Sequence, residues 1–413
     1  MFKMLKTGML TVVALLTLLA VFSPVAAHAG DEAMKAVSED GILVFQSPDG
    51  EFKWWWDARI YLDAAGYIED KNHLSNGFMV RRARWAMKTQ IWTDWYAEVD
   101  FDFAEEATAL KDAYISYRGL SNGHVRIGNF RQPFGLEENL TSRNLLFMER
   151  SQGTDPFAVG RRMGLEYARW GHKYRVAASV FGTDVEDFNK KDDETFDVAA
   201  RVNYTPILTE DSVLHLGASG SYRQTDFNSG NVRFKAKPES NVADVKYVDT
   251  GDIKNVSNYS LYAGEMAYVN KRFYAQTEYT YTDLNRLDVL ENLNFGGGYL
   301  SVSYFLTDDT HPYDANNAEF GRVIPSCKKG ALELTARFSS LDMDDDTVDA
   351  DGTTHMYGTS TSMTFGVNYY ANANIRMYLN YGLVNNDESA NSRGSMVGDD
   401  DFSYIQMRFL AAF

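Results

Sequence analysis

Arginine recurs along this chain at positions that two-residue alternation would gather on one side of a sheet. Arg81, Arg82 and Arg84 stand together, and Arg59, Lys88, Arg118, Arg126, Arg162, Arg175, Arg201, Arg223, Arg337, Arg376 and Arg408 alternate with apolar neighbours. A guanidinium offers planar, bidentate donors to an oxyanion and keeps its charge at any physiological pH. A row of them provides a succession of weak sites, which conduction requires. Acids share these faces: Asp57, Asp63, Glu98, Asp100, Asp102, Asp112, Glu166, Asp197, Glu265, Glu278 and Glu333. Each arginine therefore has two readings, a site for a passing anion or half of an ion pair that stiffens a wall. The Arg81-Arg82-Arg84 cluster, with the largest local excess of positive charge, favours the first.

Other chemistries find little support. Seven histidines show no metal-ligand spacing, and His215 and Ser219 come with no local nucleophile signature, so neither metal, cofactor nor enzymatic activity is expected. Gly296-Gly297-Gly298 lies inside a strand pattern, where a bend or close packing is the reading, not a phosphate cradle. A single cysteine, Cys327, excludes a disulfide framework. With 40 Lys+Arg against 57 Asp+Glu, the net charge of −17 argues against a nucleic-acid partner.

The elements that must position these residues are strands. Met1–Ala29 reads as a signal peptide: Lys3 and Lys6, a short apolar stretch, and Ala27-His28-Ala29 before an acidic start. No later stretch approaches the ~20 apolar residues of a membrane helix. Residues 30–52 read as a short periplasmic segment, with Ile42–Phe45 and Pro48-Asp49-Gly50 suggesting a hairpin. From Lys53 to Phe413 polar and apolar residues alternate, as where Trp54, Trp56, Ala58, Ile60 and Leu62 oppose Asp57, Arg59 and Asp63. Large aromatics at the edges of the apolar face suit a membrane interface better than a soluble core.

About sixteen such segments are legible, an even number suited to an outer-membrane barrel. Connections alternate between tight (Thr93-Asp94, Gly171-His172, Asn270-Lys271, 371–373) and long (131–160, 225–257, 341–360, 386–401). Short periplasmic turns and long external loops give that asymmetry, from which only 306–329 departs. The acidic runs Asp342–Asp346 and Gly398–Asp401 are expected in external loops, near lipopolysaccharide. The fold class is thus all-β, a transmembrane antiparallel barrel over 53–413.

Beyond this pattern the chain resembles the phosphate-selective porins of the O and P type. The resemblance lies in Arg81-Arg82-Ala83-Arg84-Trp85, Asp94-Trp95 and Lys111-Asp112-Ala113-Tyr114, and above all in Val125–Phe130, Pro133–Glu137, Thr141-Ser142-Arg143 and Phe147–Ser151. Gly321–Pro325, Gly330–Phe338 and Gly366–Tyr370 add support. It implies a homotrimeric channel whose third loop folds inward to form a basic eyelet fed by a ladder of arginines. Residue by residue, it implies that Arg82 is a ladder arginine with Arg81 beside it, that Arg150 lines the eyelet and that Asp112 is its acid. Arg84, Arg126, Arg143 and Arg162 join the candidate anion-binding set, with Arg131 and Arg161 flanking the loop. Lys328 and Lys329 fall where the family carries a periplasmic lysine cluster. After Gly135-Leu136-Glu137, where phosphate-specific members place Lys, this chain has Glu138, and a like charge in a narrow passage weakens an oxyanion site. The expected function is an outer-membrane channel for small inorganic anions, with phosphate or a related oxyanion as the candidate cargo. The alternatives are a general, weakly selective porin and a non-conducting barrel serving as adhesin or anchor.

Overall fold

The computed structural model describes residues 34–39, 41–104, 108–182, 185, 196–225, 230–287 and 290–413. The expected signal peptide lies outside these residues. A hairpin of β1 (Lys35–Glu39) and β2 (Ile42–Gln46) precedes β3 (Lys53–Ile68), β4 (Gly77–Ile91), β5 (Trp95–Asp102), β6 (Ala109–Leu120), β7 (Gly123–Arg131), β8 (Arg161–Trp170), β9 (Tyr174–Phe181) and β10 (Asp197–Leu208). There follow β11 (Ser212–Gln224), β12 (Val256–Asn270), β13 (Phe273–Arg286) and β14 (Leu293–Phe305), and then the two-residue pair β15 (Tyr313–Asp314) and β16 (Glu319–Phe320). The chain ends with β17 (Ala331–Val348), β18 (Thr354–Tyr370), β19 (Ile375–Asn386) and β20 (Phe402–Ala412).

Apart from β1, β2, β15 and β16, these strands form a sixteen-stranded antiparallel barrel among the described residues. β20 closes it on β3, with Arg408 directly opposite Asp63. β3 runs on past the end of β20, and there β2 takes β20's place, Val44 opposite Trp55.

The alternation decides which side faces what. Along β3, Asp57, Arg59, Tyr61 and Asp63 are buried inside the barrel while Ile60, Leu62 and Ile68 are exposed outside. The same inside-out pattern runs round the wall, as a hydrocarbon surround demands. Trp95, Tyr174, Tyr204, Phe273 and Tyr304 lie exposed near the short-turn end, and Phe78, Phe103, Phe196 and Tyr281 near the other. These are two aromatic girdles with an apolar band between them.

One break in the alternation matters to the lumen. Tyr61 pairs with Arg82 but Leu62 pairs with Val80, so Arg81 is the extra residue of a β-bulge. A bulge lets two consecutive side chains turn to one face, and Arg81 and Arg82 both point inward.

The loops fill much of the interior. Segment 132–160 folds inward as the resemblance implies, carrying a single-turn helix α1 (Leu136–Asn139). Two other segments also enter. Residues 230–255, of a connection expected outside, pack Val232, Phe234, Tyr247, Val248 and Ile253 against Leu284, Phe295, Leu341 and Phe402 in the outer half of the barrel. The 306–329 connection enters from the short-turn end and brings Phe320 against Leu136, Leu140, Phe147 and Tyr274. The 341–360 loop is corrected as well: β17 and β18 continue their ladder to Val348 opposite Thr354, so Asp342–Asp346 lie in a strand. Leu341 and Met343 are still buried there, and the run of consecutive acids hides the alternation.

Candidate binding site in the lumen

Two glycine contacts let the inserts seat. Gly297, inward on β14, receives the backbone of Gly153: a Cβ on Gly297 would sit 2.3 Å from the Gly153 carbonyl oxygen. Gly217, inward on β11, leaves room for Arg201 of β10 to reach across to Glu265 of β12, donating from Nη2 at 2.7 Å. The third loop is then pinned along its length. Glu278 Oε2 accepts the N–H groups of Leu136 and Glu137 at 3.0 and 2.9 Å, Asn368 donates to Leu146 O at 2.9 Å, and Asn380 Oδ1 accepts the Met148 N–H at 3.1 Å. Arg408, only 1% exposed, donates to Met148 O and bridges Asp63 and Glu149.

This loop meets the basic wall where Glu138 approaches Arg131. Arg131 and Arg161 stand directly opposite each other on β7 and β8, a repulsive arrangement relieved by an acid on each. Arg161 donates to Asp112 Oδ2 at 2.8 Å, and Arg131 lies 3.6 Å from Glu138. Glu138 also holds Arg150 at 3.1 Å, while Arg150 donates to the carbonyls of Glu137, Glu138 and Leu140. Burial opposes ionisation of Glu138, but Arg150, Arg131, Arg161 and Arg82 together hold its carboxyl below the usual carboxylate range. In the same way Arg81 and Arg408 outweigh burial and keep Glu149 ionised. Glu138 thus meets the arginines as a fixed internal counter-charge.

The remaining candidates divide by how fully they are neutralised. Arg81 forms a two-point pair with Glu149, 2.9 Å on each arm. Arg84 donates to Asp102 at 3.0 Å and lies 3.6 Å from Asp100, and Arg143 reaches Asp57 at 3.1 Å. Arg126 is 3.8 Å from Glu166 and lies over the rings of Tyr114 and Phe130. Arg82 on the inward face of β4 has Asp102 at 4.0 Å as its acid contact, and its Nε has no hydrogen-bond partner among the described residues. Arg162, on the same face, interacts with its surroundings, and its backbone carbonyl accepts from Gln132. Lys328 and Lys329 are exposed in the 306–329 connection.

The structure therefore gathers Arg82, Arg131, Arg150 and Arg161 around Glu138, with Asp112 held by Arg161. It leaves Arg126 and Arg143 on other parts of the wall and loop. Glu98, Asp100 and Asp112 lie within 4.8 Å of one another, each already facing a cation: Lys88, Arg84 and Arg161. Sequence reasoning gave no role to Glu149, which joins Arg81 to Arg408, or to Glu239, which joins Arg337, Ser339 and Thr364. The alternation could not have found them, since both sit on inserted loops.

Comparison with known proteins bears on this lumen. The family model for phosphate-selective porin O and P matches residues 54–413. Porin O of Pseudomonas aeruginosa is 25% identical over 92% of this chain and 93% of its own length. An uncharacterised protein of Caulobacter vibrioides is 26% identical over 87% of this chain and 73% of its own. Among solved structures, an anion-selective porin from Comamonas acidovorans superposes with a TM-score of 0.56 at 12% identity, covering 88% of this chain and all of that one. The outer-membrane channel DcaP of Acinetobacter baumannii gives 0.55 at 11% identity, covering 89% and 99%. At such identities the superpositions speak to the fold.

Proposed function

The chain belongs to the phosphate-selective porin O and P family, and from that membership and its basic lumen we propose that it is an outer-membrane channel passing small anions. The observation that carries the reading is Arg82 on the inward face of β4, with no acid closer than Asp102 at 4.0 Å among the described residues. Arg82, Arg84, Arg126, Arg162 and Arg175 stand on the inward faces of β4, β7, β8 and β9 and would line the aqueous path. An anion would be captured at these arginines, pass between Arg82 and the Glu138–Arg150 pair beside Asp112, and leave past the 306–329 insert toward Lys328 and Lys329. Inorganic phosphate or a related oxyanion is the cargo whose several oxygen acceptors suit the planar guanidinium fork best.

Single-channel recording across a KCl gradient tests this: an anion-favouring reversal potential is expected, and a cation-favouring one would sink the reading. Arg82→Ala should lower the anion-to-cation ratio. Saturable block of chloride current by phosphate would mark a binding site, whereas its absence would favour the second reading, a general weakly selective porin, for which the neutralising Glu138–Arg150 pair speaks. The adhesin alternative loses residues 230–255 as an external loop, since they are packed inside the barrel. Export through the Met1–Ala29 signal, contact with lipopolysaccharide and assembly as a homotrimer complete the proposal. Native gel mobility of the detergent-extracted protein checks the last.

A further inference from the structure

The hairpin within the 306–329 insert has two unlike faces. Tyr313 stands opposite Phe320, and Asp314 opposite Glu319. Phe320 is buried with its ring against Tyr274 and His215, and the Tyr313 hydroxyl lies 2.7 Å from His215 Nδ1. The other face presents two acids directly across from each other, an arrangement that is unfavourable in a hairpin unless cations meet it. Asp314 is engaged by its own turn, accepting the N–H groups of Asn316 and Asn317. Among the described residues Glu319 accepts no such hydrogen bond, and the cations acting on it are Arg201, Arg175 and Arg131.

Those three cations are not equally occupied. Arg201 pairs with Glu265 through Nε and Nη2, and Nη2 also reaches Ala318 O at 3.2 Å, which fixes the residue next to Glu319 against the wall. Arg175 is 7% exposed, its Nε lacks a hydrogen bond, and no carboxylate pairs with it within 4.0 Å among the described residues. Arg131 donates from Nη1 to the carbonyls of Asn139 and Leu140, and among the described residues its carboxylate contact is Glu138 at 3.6 Å. Glu319 is thus held near two incompletely neutralised arginines, on the periplasmic side of the constriction.

We propose that Glu319 is a selectivity-setting residue, a tethered carboxylate that competes with the permeating oxyanion for Arg175 and Arg131 and releases them when protonated. The proposal rests on the anion-channel reading. Burial, with Asp314 adding to it, pushes the Glu319 carboxyl up to about 7 against the pull of Arg201, Arg175 and Arg131. Below that pH it is neutral and the arginines are open to anions; above it the carboxylate shields them. Other ionisable groups packed nearby are His215 and Glu265 behind Arg201, Glu166 beside Arg175, and Glu138 with Arg150 beside Arg131.

The test uses the full-length protein in planar bilayers, with the chloride-to-potassium permeability ratio followed on both sides of neutral pH. In the wild type the ratio should rise about two- to threefold on acidification, the effect of one unit charge acting across several ångströms of water. E319Q should hold the acid-side value at every pH, and E319D should restore the step. Glu319→Ala provides a second neutral variant, and heat-modifiable gel mobility identifies which variants fold. A wild-type ratio that is flat with pH, or neutral variants that titrate like the wild type, would overturn the role of Glu319 alone. A potassium-favouring wild type at every pH would instead overturn the anion reading.

Discussion

Glu138 shows how one side chain redefines its neighbours. It holds Arg150 and Arg131, so two guanidiniums at the constriction are partly cancelled before any ion arrives. Glu138→Gln keeps the size of the side chain and removes the charge. Phosphate should then half-block chloride current at a concentration about tenfold lower, equivalent to ~1.4 kcal/mol. An unchanged blocking concentration would mean that Glu138 is remote from the path. Arg150→Ala should reduce anion selectivity through both lost charge and a loosened loop, because its guanidinium ties the α1 carbonyls of Glu137, Glu138 and Leu140. Arg118→Ala should change selectivity less: Arg118 is exposed near the short-turn rim, stacked 3.7 Å over Tyr96. Equal effects of the two substitutions would argue against the constriction assignment.

The third loop is held as an element by backbone approach and by buried charge. A side chain at Gly297 would strike the Gly153 carbonyl, and backbone on both sides leaves little room to give. Gly297→Val should therefore displace the loop tip, raise unitary conductance and lower selectivity in a barrel that remains heat-modifiable. The charged anchor makes a different prediction. Arg408→Ala leaves Asp63 and Glu149 buried without their shared cation, and a broken buried pair costs about 3–5 kcal/mol. The temperature at which the folded gel band converts to the unfolded one should fall clearly; no change would place the anchor outside the cooperative structure. The 306–329 insert behaves as a third such element, tied to the wall by His311 against Glu333 at 2.6 Å and by Arg201 to Ala318 O.

At the scale of the molecule, the barrel is the frame and three inserts decide its bore. Replacing the 313–320 hairpin by a short polar linker should leave barrel closure intact, because β14 and β17 pair independently of it from Gly296 opposite Asp342 to Phe305 opposite Glu333. Conductance should rise and the pH response assigned to Glu319 should vanish. Much of this frame was legible in the sequence. The strands, their inward faces, the even number and the alternating connection lengths all follow from spacing of two along the chain, which is a local property. Residues such as Arg59, Arg201 and Glu265 were placed inside correctly for that reason. Tertiary structure alone decided which arginines keep their charge exposed to an ion. Arg408 and Asp63 lie 345 residues apart in sequence, and Arg337 meets Glu239 only because an entire loop turns into the lumen. The inward turn of Arg81 likewise depends on a one-residue slip in the register between β3 and β4. Alternation sets the face of each side chain, but pairing of charge depends on register across strands and on where distant loops come to rest, and neither is encoded in near-neighbour spacing.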